Sequence, residues 1–361
     1  MILNSGIGTQ VLYVLKELVK KQNLDLDLIG NPADIYRILP EFEGKVVPFT
    51  ADIYTASEQI FFPKIKEGLL HIPHYNAPIS QLNRSLVVVH DLIHLQSEEF
   101  KNPKFRIYAG FILGMVARKA KYIVTVSEYT KQEMIKRFPA AIDKISVIQN
   151  GLDHSLFRPQ KDRDIQDFKK KYTLPDHFFL TVGIGKRHKN IDFVIRSLAP
   201  LWKAKTIKQE LVMAGTGGRI PDYVRKEIDE NGVDQFINLM PYLSSEELPL
   251  LYASADALIM PSLLEGFGFP VIEAMACGTC VLSSDRSSLP EIAGDAAFYF
   301  NPEDSASLSQ SVQEFLSNSE ERKKILANGI KQSKRFSWVK HAEELIKIYR
   351  EIEKNEPLEK K

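Results

Sequence analysis

Short apolar runs alternate with segments of helical periodicity along nearly the whole chain. Several runs, such as the Leu-Val-Val-Val run at 86–89, are continuous rather than alternating, which is typical of strands buried on both faces. Between the runs, apolar residues recur at helical spacing, for example at Val11, Leu15 and Leu18. This β-α alternation occurs twice and predicts two α/β domains with parallel sheets. The predicted strands are Leu24–Gly30, Lys45–Phe49, Leu69–Pro73, Ser85–His90, Tyr122–Ser127, Ile145–Gln149, Phe178–Val182, Glu210–Ala214, Phe236–Met240, Ala257–Met260, Thr279–Ser283 and Ala297–Phe300.

The predicted break between the domains follows Asn150-Gly151. Residues 153–177 contain Pro159 and a charged cluster, and they are interpreted as a linker that passes into a short helix. We therefore assign residues 1–157 to the first domain and 158–337 to the second. An apolar stripe from Trp338 to Tyr349 predicts one more helix at the C-terminal end.

Composition excludes several classes of protein. Lysine and arginine total 47 and aspartate and glutamate total 46, so the net charge of +1 argues against a polybasic nucleic-acid-binding protein. The chain has only two cysteines, Cys277 and Cys280, which favours a reducing compartment and a cytoplasmic location. Their C-x-x-C spacing could indicate a redox pair or half of a zinc site, but the apolar surroundings favour two packing residues.

The longest apolar stretch, Tyr108–Ala117, is about half as long as a bilayer-spanning helix. Basic residues flank it, so it can be interpreted as a helix lying on an anionic membrane surface or as a helix packed in the first domain's core. The N-terminus shows no basic region before an apolar block, and no secretory signal is predicted. The flanking basic residues are Lys101, Lys104, Arg106, Arg118, Lys119 and Lys121.

Three glycine-rich turns begin like a dinucleotide-binding fingerprint, but each lacks its third glycine. They start at Gly6, Gly183 and Gly215, and the fingerprint's last position holds Val11, His188 or Ile220. The first turn still leads towards a helix predicted to begin near Thr9. Gly8 could therefore admit a phosphate at the helix N-terminus, or it could be a simple loop glycine.

The segment from Pro261 to Ala276 is the most informative. A strand ends near Met260, a glycine-containing loop carries Glu265, and Pro270 is predicted as the first residue of a helix with Glu273 in its first turn. The backbone N–H groups of Gly266, Phe267, Gly268 and Phe269 could hold a diphosphate while the two carboxylates bind hydroxyls on either side. Alternatively, Glu273 caps its helix and Glu265 is a surface residue of the loop.

Two further clusters lie at predicted carboxyl ends of strands, where ligands of open α/β sheets bind. Lys186, Arg187 and Lys189 follow the strand that ends at Val182, and their cations could stabilise the charge on a departing nucleoside diphosphate. His90, next to Asp91, closes an earlier strand and could bind a sugar hydroxyl. A solvated basic loop and a structural His–Asp pair are the alternatives.

Together these residues resemble glycosyltransferase family 4, which comprises retaining transferases of the GT-B fold. The resemblance covers nearly the whole chain, and its most specific part is the E-x7-E segment. The motifs are Gly6-Ile7-Gly8, His90-Asp91-Leu92-Ile93, Val124–Thr130, Val147–Asp153, Val182-Gly183 with Lys189-Asn190, Glu265–Ala274 and Ser288–Gly294.

The resemblance implies two Rossmann-like, doubly wound α/β domains whose parallel sheets face each other across a cleft. The C-terminal helix 338–354 then crosses back to complete the first, acceptor-side domain, and the second domain binds the nucleotide sugar. In this assignment Gly8 lies against the donor diphosphate, and Lys189 binds it together with Arg187 or Lys186. Glu273 binds the ribose, Glu265 contacts the transferred sugar, and His90 lies at the sugar and acceptor end. The site is implied to need no metal and no other cofactor.

One departure from the family concerns the N-terminus, where the first strand is absent or reduced to Met1–Leu3. The arginine usual after Val-Gly is also absent, which leaves Arg187 or Lys186 as the second cation. The sequence thus predicts a cytoplasmic retaining hexosyltransferase, with GDP-mannose as donor and a glycan or lipid-linked acceptor, acting in surface polysaccharide assembly. A GT-B epimerase or hydrolase of nucleotide sugars, or a catalytically weak donor-binding protein, is the alternative.

Overall fold

The computed structural model describes residues 6–21, 23–51, 55–97, 99, 103–183, 185–215, 217 and 219–354. The short first strand predicted at Met1–Leu3 lies outside these residues. Within them, no helix combines the length and the apolar composition required to cross a bilayer.

Twelve strands are present in the described part of the chain, and each overlaps one of the predicted segments. All of their pairings are parallel. The strands are β1 Leu28–Gly30, β2 Val46–Pro48, β3 Leu70–Ile72, β4 Ser85–Val89, β5 Tyr122–Thr125, β6 Ile145–Val147, β7 Phe178–Val182, β8 Glu210–Ala214, β9 Ile237–Leu239, β10 Ala257–Met260, β11 Cys280–Ser284 and β12 Phe298–Phe300.

Helices connect the strands, as expected for parallel pairing, which requires crossover connections. Short 3₁₀ turns supplement them at 79–84, 139–144, 187–189 and 234–236. The α-helices of the described residues are α1 Gly6–Val19, α2 Pro32–Ile38, α3 Ala56–Phe61, α4 Ile93–Gln96, α5 Pro103–Lys119, α6 Glu128–Arg137, α7 Asp162–Tyr172, α8 Ile191–Lys203, α9 Asp222–Asn231, α10 Leu248–Ser254, α11 Phe269–Ala276, α12 Leu289–Ala293, α13 Ser305–Ser317, α14 Ser319–Ser333 and α15 Trp338–Lys354.

The chain divides into two compact units, one of which runs from Leu152 to Phe336. The other, unit 1, comprises the chain up to Gly151 and from Ser337 onward, and it therefore includes α15. The predicted boundary after residue 157 is too late, because Leu152 is buried and the Phe157 ring lies 6.4 Å from that of Tyr252 within unit 2.

Unit 1 contains a four-stranded sheet in the order β3-β4-β5-β6 and a separate pair, β1-β2. Every residue of β4 is buried, which explains its continuous apolar run. One face of α5 packs into the same core through Ala109, Ile112, Leu113 and Val116. Helix α15 packs against α1, with the rings of Tyr13 and Trp338 stacked 5.5 Å apart.

Unit 2 contains a six-stranded sheet in the order β12-β11-β10-β7-β8-β9. The chain builds outward from β7 to β9 on one side and then from β10 to β12 on the other. Because the direction of building reverses between β7 and β10, the carboxyl ends of these two strands form the topological switch point, where open α/β sheets bind ligands.

Candidate active site

The switch point of unit 2 brings together two of the predicted residues. Lys189 ends the 3₁₀ turn that follows β7, and Glu265 lies in the loop that follows β10. The Lys189 Nζ atom donates a hydrogen bond to Glu265 Oε1 at 2.6 Å. Their side chains are only 19% and 10% exposed, so the ion pair is shielded from bulk water. The alternative of a surface residue is wrong for Glu265.

Three serines fix the conformation of the Glu265 loop. The Ser262 hydroxyl donates to Glu265 Oε1 at 2.7 Å, and the Glu265 N–H donates to Ser287 Oγ at 3.0 Å. Ser288 donates to the carbonyl oxygens of Glu265 and Phe267, at 3.1 and 2.9 Å. The carboxylate is therefore held by Ser262 from the same strand end, and the loop backbone is held by Ser287 and Ser288 from the segment after β11.

The glycine-containing turn leads directly into α11. Gly268 has φ 108°, and a Cβ there would lie 2.8 Å from Leu289 Cδ2, so both conformation and space require glycine. The buried ring of Phe267 lies 5.2 Å from that of Phe269 and 5.6 Å from that of Phe336. These contacts order the backbone from Gly266 to Phe269. The diphosphate-binding role of its N–H groups stays a prediction.

Glu273 occupies a different environment. Helix α11 begins at Phe269, so Pro270 is its second residue and Glu273 lies in its second turn; the prediction of a first-turn residue is wrong. Glu273 Oε2 accepts a hydrogen bond from the Tyr252 hydroxyl at 2.6 Å. Burial raises the pKa of the Glu273 carboxyl to about 7, while the hydrogen bond from Tyr252 opposes that rise.

The basic turn after β7 is anchored by Asn190. Its Nδ2 atom donates to the carbonyl oxygens of Pro261 and Pro302, at 3.2 and 2.8 Å. The first bond ties the turn to the loop after β10, which carries Glu265, and the second ties it to the segment after β12. Lys186 and Arg187 are exposed, and the Arg187 guanidinium lies 4.6 Å from the Tyr223 ring centroid.

The other two predicted site residues, Gly8 and His90, lie in unit 1. Helix α1 begins at Gly6 rather than near Thr9, so Gly8 is a buried residue of its first turn. His90 follows β4, is buried, and donates from Nε2 to the Pro73 carbonyl at 2.9 Å. Burial lowers the pKa of His90 to about 4, so its imidazole is neutral at physiological pH.

Sequence reasoning missed two residues that bond the carboxylates directly, Tyr252 and Ser262, and it gave no role to Asn190 within its motif. Ser262 follows the end of β10 within the informative segment, which is a usable signal. Tyr252 lies 21 positions before Glu273, on α10, and reaches it only through tertiary packing.

The C-x-x-C pair belongs to the packed interior. Cys277 and Cys280 are buried free thiols, and burial raises their pKa values to about 12 and about 11, so neither is a reactive thiolate. Across the described part of the chain, no group of three or more His, Cys, Asp or Glu side chains is arranged to hold a metal ion.

Comparisons with known proteins identify the family. A model described as glycosyl transferases group 1 matches residues 162–332, and one described as glycosyltransferase family 4 matches residues 5–156. The chain is 29% identical to O-antigen chain mannosyltransferase B of Escherichia coli, with 96% of each chain covered. It is 27% identical to the serotype-specific mannosyltransferase WbdA of Escherichia coli, over 88% of this chain and 37% of WbdA.

The fold is also that of known glycosyltransferase structures. The crystal structure of Anabaena HepE, in complex with UDP and glucose, matches with a TM-score of 0.74 at 18% identity over 96% of each chain. The chain therefore belongs to the glycosyltransferases of the GT-B fold, with a family 4 domain followed along the sequence by a group 1 domain.

Proposed function

We propose that the protein is a retaining glycosyltransferase that moves mannose from GDP-mannose to a glycan or lipid-linked acceptor in surface polysaccharide assembly, on the cytoplasmic side of the membrane. The observation that carries the proposal is the Lys189–Glu265 ion pair at the switch point of unit 2. The choice of mannose is supported by the names of the relatives, which are O-antigen and serotype-specific mannosyltransferases.

In the proposed reaction the bond between the anomeric carbon and the diphosphate oxygen breaks, and the acceptor oxygen bonds to the same face of the sugar. The acceptor proton passes to a phosphate oxygen of the leaving nucleoside diphosphate. Negative charge grows on that diphosphate. In this proposal the ammonium group of Lys189, in the 3₁₀ turn after β7, offsets that charge. Fixed cations supply this stabilisation, so we propose that no metal ion takes part.

The two carboxylates serve the two ends of the donor in this proposal. Glu265 orients Lys189 and contacts the sugar, while Glu273 accepts hydrogen bonds from the ribose hydroxyls. A carboxyl with a pKa near 7 gains from such donors because they stabilise its charged form. Lys186 and Arg187 extend the positive charge beside Lys189. The roles of Gly8 and His90 are those implied by the family resemblance.

The first test measures donor selectivity. We expect GDP-mannose to raise the melting temperature more than UDP-glucose or other nucleotide sugars do, because a ligand that binds only the folded state stabilises it. Isothermal titration then gives the dissociation constant. If no nucleotide sugar shifts the melting temperature, the proposal fails. If UDP-glucose binds more tightly than GDP-mannose, the proposed donor is wrong.

The second test removes the cation. Lys189→Met should lower the rate of mannose transfer to extracted lipid-linked glycan by about 100-fold, the usual effect of losing one electrostatic contact to a leaving group. Lys203→Met, an exposed lysine at the end of α8, is the matched control and should leave the rate unchanged. Equal rates for the two variants would contradict the role of Lys189. GDP-mannose turnover that needs no acceptor would instead indicate the hydrolase.

A further inference from the structure

Large exposed apolar side chains are concentrated on one part of unit 1. Five of them lie on α5, on α3 or on the 3₁₀ turn at 139–144, and each has more than half of its surface exposed. Scattered single apolar residues are ordinary on a protein surface, but a cluster of this kind marks an interaction site. We call these five residues, Ile60, Phe61, Ile107, Phe111 and Ile142, the α5 patch.

Helix α5 is apolar on two faces. The face described above packs in the core, so the core interpretation of this segment is correct for that face. Ile107 and Phe111 lie one turn apart on the outer face and are 71% and 57% exposed. Lys104 precedes Ile107 by three positions and Arg118 follows Phe111 by seven, so the same face carries a basic residue at each end.

Hydrogen bonds connect the other members of the patch to α5. The Tyr108 hydroxyl of α5 donates to Asn76 Oδ1 at 2.6 Å, and Asn76 in turn donates to Glu58 of α3, the helix that carries Ile60 and Phe61. At the other end, Lys144 Nζ donates to the Arg118 carbonyl at 2.9 Å, which fixes the 3₁₀ turn that carries Ile142. These bonds attach α3 and the 3₁₀ turn at 139–144 to α5.

The charges next to the patch are mostly positive. Helix α5 contains Lys104, Arg106, Arg118 and Lys119 and has no acidic residue. The guanidinium of Arg106 donates a hydrogen bond to the Leu95 carbonyl. Because the carbonyl is neutral, this bond does not cancel the positive charge. Two acidic residues lie close in sequence to patch residues: the exposed Asp143 follows Ile142, and the half-buried Glu58 precedes Ile60 by two positions on α3. Of the remaining predicted basic residues, Lys101 lies outside the described residues.

We propose that the α5 patch docks the protein on an anionic lipid bilayer. Apolar side chains in the middle of the helix would enter the acyl boundary, and the basic residues at its two ends would meet lipid phosphates. A helix that lies in the plane of the surface can make both kinds of contact at once, because its exposed apolar residues lie between its basic ends. The proposal depends on the surface alone and is independent of the donor chemistry proposed above.

Vesicle co-sedimentation tests it. The full chain should bind vesicles of phosphatidylcholine mixed with phosphatidylglycerol and bind pure phosphatidylcholine weakly, with binding reduced by added salt. Phe111→Glu should weaken binding at least about tenfold, since it removes an inserting ring and adds a repelled charge. Arg118→Gln with Lys119→Gln should weaken it about 25-fold, or about fivefold for each charge. The control is Tyr36→Glu, on α2.

Two results would overturn the proposal. One is absence of binding of the unmodified chain to anionic vesicles at low salt. The other is equal binding by Phe111→Glu and Tyr36→Glu. Circular dichroism and GDP-mannose binding by each variant show whether the fold and the donor site are intact. Self-association that Phe111→Glu abolishes, without any vesicle binding, would assign the patch to a second copy of the chain and would also overturn the proposal.

Discussion

Glu265 and Glu273 stand in one segment, but the structure places them in opposite electrostatic environments. Glu265 is paired with the ammonium group of Lys189 at 2.6 Å and also accepts from Ser262. Glu273 meets the neutral hydroxyl of Tyr252, and burial raises its pKa to about 7. The same residue type at the two ends of one motif is thus ion-paired in one position and, in the other, buried with a pKa raised to about 7.

The difference shows that the positions of the two glutamates in the sequence indicate where each carboxylate lies. They do not indicate which groups surround it. Glu265 follows a strand at the switch point, so the cation after β7 can reach it. Glu273 lies one turn inside α11, where the nearest polar partner belongs to α10. Glu265 already has a cationic partner, whereas Glu273 gains most when a ligand donates hydrogen bonds to it.

Removing the charge of Glu265 should give the largest change in stability. Glu265→Gln leaves the shielded ammonium of Lys189 without its partner, and we expect the free energy of unfolding to fall by about 2–4 kcal/mol near neutral pH. Urea denaturation measures this. The double variant Lys189→Met with Glu265→Gln should recover part of the loss. Strictly additive losses in the double variant would show that the two residues do not interact.

Removing the charge of Glu273 should act with the opposite sign. Because its pKa rises from 4.5 to about 7 on folding, the native state binds more protons between these values and stability falls as pH increases through that range. Glu273→Gln should therefore stabilise the protein by about 1–3 kcal/mol above pH 7, with the gain disappearing below about pH 4.5.

Unfolding curves recorded over that pH range check the prediction for Glu273. Tyr252→Phe is the informative companion, since losing the hydroxyl removes the one hydrogen bond that favours the charged carboxylate. Its destabilisation should be greatest at high pH. A Glu273→Gln variant that is less stable than the unmodified protein at every pH would show that the carboxyl is not penalised by burial.

Ser262→Ala should give the smallest effect. The substitution removes one of two hydrogen bonds to Glu265 Oε1 and leaves the Lys189 ion pair in place, so we expect a loss of about 0.5–1.5 kcal/mol. Thermal unfolding of Ser262→Ala measures the loss. Ser317→Ala is the comparison, because the hydrogen bond that the Ser317 hydroxyl donates is exposed. A loss as large as that of Glu265→Gln would mean that the serine, rather than the lysine, determines the carboxylate's position.

The strands and the positions of Lys189 and Glu265 after strand ends could be predicted because both follow from local rules, whereas the ion pair between the two residues was not predicted. Continuous apolar runs mark buried parallel strands, and polar residues at strand ends gather at the switch point. The start of α11 was predicted one residue late, because Pro270 carries a helix-start signal and Phe269 does not. The hydrogen bond from Tyr252 to Glu273 could not be predicted either, because nothing in the segment around Tyr252 indicates that α10 packs against α11.

The separate β1-β2 pair was also not predicted. Each strand is three residues long, and its core is a small cluster of Leu28, Ile35, Leu39 and Phe42. Alternation of strands and helices indicates how many strands a domain has, but it does not indicate which neighbours hydrogen-bond. That choice depends on packing between distant segments and leaves no periodic signal in the sequence.

Gly151 lies where the last residue of unit 1 before the insertion meets the segment that follows it. A Cβ at this position would overlap the Trp338 nitrogen and the Ser337 carbonyl carbon, so the outgoing and returning backbones touch within unit 1. Residues 152–336 are consequently an insertion with adjoining ends. Such a block can be exchanged between related enzymes by matching a single pair of joints, which gives recombination a simple route to new pairings of the two units.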